Sequence, residues 1–185
     1  MLPNTEHVID VRTSDDGTYA NAKEGSYHID SSTISPIAAQ DMGNHDNPFV
    51  VADAPVSGGV PGAVNGTLTF MVGCSEEHFD TIKELLNPMA GNVFHCGAAG
   101  SGQAAKICNN MCLAVQMTTI AEGLVLGEKL GMDPKVLSQI MSVSTARCWS
   151  VDTYNPSHQT PTVCTAAGSC HPRSASCQHH LLLQP

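Results

Sequence analysis

The sequence predicts an α/β fold: part of a mainly parallel sheet domain, a long helix, then the start of an all-helical domain. Three observations predict it. Short apolar runs alternate with helical patterns up to residue 97. One uninterrupted helical pattern occupies residues 102–130. Beyond Ala99 no strand signal recurs before the tail.

The elements follow in order. Val8 and Ile9, in a polar stretch reaching Gly25, fit a short helix or a loop. Residues 26–30 form a short strand, followed by Ser31, Ser32 and Thr33. Ser35-Pro36 supplies a helix N-cap with proline at the first helical position. The turn formers from Gly43 to Pro48 hold that helix to little more than two turns. Residues 49–53 read as a buried parallel strand and residues 67–72 as another. A helical period over 76–89 puts Phe79, Ile82, Leu85 and Leu86 on one side, and 92–96 is a last short strand. In the long helix, Ile107, Met111, Ala114, Met117, Ala121, Leu124 and Val125 recur at steps of three and four, and Gly131 is its C-cap. Asp133-Pro134 caps a further helix over 135–141. The expected divisions are 1–97, 98–156 and 157–185. The last, rich in Ser, Thr, Pro, Cys and His and lacking any period, is expected to be disordered.

Composition excludes several roles. Of 185 residues, 42% are hydrophobic and 14% charged, a globular balance, and 4% aromatic, so the core is aliphatic. The net charge is −9, and the eight Lys and Arg are scattered, which argues against nucleic acid and anionic membranes as partners. No apolar run approaches a membrane span. The N-terminal residues show neither a secretory leader nor a transit peptide. Cys108 and Cys112 lie in an apolar helical pattern, so reduced thiols are expected. Cys164, Cys170, Cys177, His171, His179 and His180 match no structural zinc spacing, and no metal is expected.

Two segments carry candidate chemistry. Ser57-Gly58-Gly59 follows a buried strand; its amides and hydroxyl could cradle a carboxylate, although the same triplet also describes an ordinary tight turn. Lys106 and Asn110 share one helix face. A partly desolvated lysine there could exchange protons near neutrality and the asparagine could orient a hydroxyl; a lysine with its head in solvent fits the spacing equally. Gly100-Ser-Gly102-Gln-Ala-Ala105 matches a dinucleotide-binding fingerprint, with Glu122 near the distance for a ribose-binding acid. That acid belongs at the end of a second strand, and Glu122 sits in an unbroken helical pattern, so the match is rejected and the glycines are read as a flexible start to the helix.

The stretches 53–73 (Asp-Ala-Pro-Val-Ser-Gly-Gly through Thr-Phe-Met-Val-Gly) and 97–111 (Gly-Ala-Ala-Gly-Ser-Gly-Gln-Ala-Ala-Lys-Ile-Cys-Asn-Asn-Met) resemble the β-hydroxyacid dehydrogenases. Ala121-Glu122, residues 130–134, 147–150 and 152–156 extend the likeness, from Met1 to about Pro156. The resemblance implies the C-terminal part of a Rossmann-type domain and NAD-dependent oxidation of 3-hydroxyisobutyrate to methylmalonate semialdehyde, a mitochondrial step of valine breakdown. It implies that Lys106 is the acid/base, that Asn110 helps hold the substrate, and that Ser57, Gly58 and Gly59 bind its carboxylate. It places Leu2, Pro3, His7 and Thr33 along the NAD cofactor, and a family-type homo-oligomer goes with it. The family's glycine-rich turn precedes its Met-Leu-Pro segment, where this sequence starts, so weak NAD affinity and little or no turnover by this chain alone are expected. The other reading is a non-catalytic fragment, at most an interaction module for a full-length subunit.

Overall fold

The computed structural model describes residues 1–44 and 47–153. The chain divides into two compact units, residues 1–112 and 113–185. The tail residues 157–185, with their Cys and His, for which no metal is expected, lie outside the described residues.

The first unit opens with α1 (Thr5–Thr13), whose N-cap Asn4 accepts from the His7 amide. β1 (Tyr27–Asp30), α2 (Pro36–Asn44) and β2 (Val50–Asp53) follow, with β1 and β2 parallel in register from Tyr27↔Val50 to Asp30↔Asp53. Next come β3 (Val56–Ser57), the short α3 (Gly59–Val64) and β4 (Leu68–Gly73). α4 (Glu76–Leu86) then leads through a 3-10 turn into β5 (Ala90–Gly97), which pairs parallel to β4.

The sheet is mixed rather than simply parallel. β4 runs parallel to β5 but antiparallel to β2 and to β3. The reversal comes from the two-residue β3, which the sequence presents only as part of a turn. Pro55 has no amide to donate, and its carbonyl instead accepts from Met71.

Two apolar clusters flank the sheet. One joins Ala52, Ala54, Phe70, Val72, Cys74, Ile82 and Leu86; the other joins Val8, Ile34, Ala39 and Met42. α4 contributes Ile82 and Leu86, four residues apart on one stripe. Leu85, predicted on that side, is 52% exposed, because a helix turns about 100° per residue and carries it off the stripe.

The helix α5 (Ser101–Lys129) begins in the first unit. In the second unit its later turns pack with α6 (Pro134–Val143) and α7 (Trp149–Thr153) through Ile120, Leu124, Leu137, Met141 and Val151. The Asp133 carboxylate accepts from the Lys135 amide and starts α6. No helix among the described residues is long and apolar enough to cross a membrane.

Candidate active site

Asp53 ends β2 and its side chain is buried, at 4% exposure. Its Oδ1 accepts from the Gly100 amide at 2.6 Å and its Oδ2 from the Gln103 amide at 2.8 Å. One carboxylate thereby satisfies two of the amides that a helix start leaves open. Burial pushes the Asp53 carboxyl above its usual range, and the amide hydrogen bonds partly oppose that shift.

Close packing at this joint requires glycine. A Cβ on Gly102 would strike the Met71 carbonyl and stand 2.8 Å from Asp53 Oδ2. A Cβ on Gly73 would strike Asp53 Oδ1 and stand 2.9 Å from the Gly102 nitrogen. The glycines predicted to make a flexible helix start are therefore a tightly packed one. The fingerprint match also fails for a physical reason: amides that would hold a pyrophosphate are already bonded to Asp53.

Gln103, in the first turn of α5, is fully buried. Its Oε1 accepts from the Ile34 amide at 3.0 Å, and its Nε2 donates to the Ser32 carbonyl at 2.8 Å. The Leu2 amide donates to Ser32 Oγ at 2.8 Å, and the Ser35 amide to Thr5 Oγ1 at 3.1 Å. Leu2, beside Pro3, is thus tied to the loop after β1, where Thr33 stands exposed between buried Ser32 and Ile34. His7 is exposed, with its Nδ1 2.6 Å from Asn4 Oδ1 at the start of α1.

Lys106 lies one turn further along α5. Its Nζ donates to Ser57 Oγ at 2.9 Å, and burial holds its ammonium below the usual lysine value. Ser57 is fixed by β3, which pairs it with Thr69. Gly58 follows at φ 129°, where a side chain would be strained, and it is exposed together with Gly59. Asn110 is exposed one turn beyond Lys106. The structure thus brings Lys106 to the Ser57-Gly58-Gly59 turn, and Leu2 to the loop of Thr33. Sequence reasoning missed Asp53 and Gln103; an acid closing an apolar strand and an amide opening an apolar helix were the available signals. Among the described residues no group of three or more His, Cys, Asp or Glu could hold a metal.

The fold is that of an α/β protein, and the family models that match the chain are nicotinamide-dinucleotide-binding domains. Residues 1–97 match the family model described as the NAD binding domain of 6-phosphogluconate dehydrogenase, and the chain belongs to that family. Residues 100–165 match a second model, the NAD-binding domain of NADP-dependent 3-hydroxyisobutyrate dehydrogenase. The chain is 49% identical over 158 residues to mitochondrial 3-hydroxyisobutyrate dehydrogenase of Bos taurus, covering 84% of this chain and 47% of that one. It is 46% identical to the probable 3-hydroxyisobutyrate dehydrogenase of Mycobacterium tuberculosis, over 84% of this chain and 53% of that one. Among solved structures, the Mycobacterium tuberculosis 3-hydroxyisobutyrate dehydrogenase with L-serine matches at TM-score 0.75 and 47% identity, covering 83% of this chain and 52% of that one. Psf3 in complex with NADP+ and 2-OPP matches at TM-score 0.73 and 28% identity, over 80% of this chain and 53% of that one. The chain spans about half the length of the curated relatives it matches.

Proposed function

We propose that the chain carries the substrate half of an NAD-dependent dehydrogenase that oxidises 3-hydroxyisobutyrate to methylmalonate semialdehyde. The observation that carries this reading is the 2.9 Å contact between a desolvated Lys106 amine and the Ser57 hydroxyl. Removing a hydride from an alcohol carbon requires a base for the hydroxyl proton. An amine whose pKa is lowered is neutral in a larger fraction near physiological pH, and so can accept that proton. Ser57 holds the amine in place. The exposed turn of Ser57, Gly58 and Gly59 receives the substrate carboxylate, and the Asn110 amide holds the hydroxyl toward Lys106.

The nicotinamide dinucleotide, when bound, supplies the hydride acceptor. The residues present fit its nicotinamide side. Thr33 is exposed at the carboxyl end of a parallel strand, where open α/β sheets take their ligands, and Leu2 and Pro3 border the same loop. His7 is assigned to that rim by resemblance. The mitochondrial names of several relatives support a matrix location. The test is NADH formation by the purified chain from 3-hydroxyisobutyrate, and its loss in Lys106→Ala with NAD binding retained. Turnover that survives Lys106→Ala would remove the lysine from this role.

A further inference from the structure

Gln103 joins two parts of the site. Its carboxamide holds the loop after β1 from both sides of Thr33, through the Ile34 amide and the Ser32 carbonyl. Its own amide is held by Asp53, which fixes the first turn of α5. Lys106 follows three residues later on the same helix. The carboxamide oxygen and nitrogen each have a partner in a fully buried setting, and turning the side chain away would break both bonds.

We propose that Gln103 is a positioning residue for the dehydrogenase reaction. It sets the spacing between the nicotinamide-side loop at Thr33 and the proton-accepting amine of Lys106. The proposal rests on the functional reading above. It goes beyond that reading in assigning the alignment of the two half-sites to one buried carboxamide. Hydride and proton leave adjacent atoms of the same substrate, so a small error in this spacing weakens turnover even when each half-site is intact.

Gln103→Met keeps the volume and removes both side-chain hydrogen bonds. Hydrogen exchange of the full chain and steady-state kinetics read the result. In the unchanged chain the Ile34 amide, which lies in neither helix nor strand, exchanges as slowly as that of Val72 in β4. In Gln103→Met it speeds up by about tenfold or more, the equivalent of one buried hydrogen bond, while Val72 does not. The KM for NAD rises and kcat falls, and the KM for 3-hydroxyisobutyrate stays within about twofold.

Unprotected Ile34 in the unchanged chain overturns the proposal, even if the variant does not fold. Faster Ile34 exchange with unaltered NAD kinetics also overturns it, since the glutamine is then structural only. Absence of NAD-dependent turnover in the unchanged chain defeats the functional reading itself, and the Gln103 proposal with it.

Discussion

The two ends of the first turns of α5 are built on opposite principles. At Gly100–Gln103 two buried side chains are paired: Asp53 with two amides, Gln103 with Ser32 and Ile34. At Lys106–Asn110 the side chains are half-buried or exposed, and a single hydrogen bond, Lys106 to Ser57, spans the gap. The difference separates scaffold from site. Low-dielectric pairing makes the first region rigid, because an unpaired group there is costly. The second keeps its donors available to a ligand, and the same helix carries both.

Breaking the rigid end is expected to cost most. Asp53→Ala leaves the Gly100 and Gln103 amides without acceptors in a buried setting. Each such loss costs about 1–3 kcal/mol, so urea denaturation should show about 2–6 kcal/mol of destabilisation. Gly102→Ala is the steric counterpart: the new methyl meets the Met71 carbonyl, and overpacking of this kind costs about 1–3 kcal/mol. A loss under about 0.5 kcal/mol in either variant would mean that the joint is looser than described.

The pH response of the rigid end has a definite sign. Burial raises the Asp53 carboxyl in the folded chain above its unfolded value. Its contribution is therefore most favourable below the unfolded value of about 3.9 and is lost as pH rises through the raised folded value. The stability of the unchanged chain relative to Asp53→Asn should fall across that window. A difference that is flat or rises there would contradict the burial argument.

At the open end the effects on stability are small. Ser57→Ala removes one partly exposed hydrogen bond and should cost about 0.5–1.5 kcal/mol in the same denaturation experiment. It should nevertheless weaken turnover, because the Lys106 amine loses its anchor.

Much of this molecule was legible in its residues, and the losses have physical causes. The strand at 49–53 and the helix at 102–130 announce themselves through burial and period, and both are found as β2 and α5 with shifted ends. Two-residue β3 was not legible, because its identity lies in pairing with Val56↔Phe70 and Ser57↔Thr69, which no local pattern encodes. Lys106 was legible as an amine on an apolar helix, but its hydrogen-bond partner Ser57 lies 49 positions away. Gln103 was hidden for the same reason: its partners Ser32 and Ile34 lie 71 and 69 residues away in sequence.

The central claim is that Lys106 accepts the substrate proton, and the pH profile of kcat/KM for 3-hydroxyisobutyrate oxidation tests it most directly. Because burial lowers the lysine pKa, the rate should rise with pH and level off at a midpoint below the ordinary lysine value of about 10.4. That limb should vanish in Lys106→Met. A limb that persists in Lys106→Met, or one whose midpoint in the unchanged chain sits at the ordinary lysine value, would contradict the account.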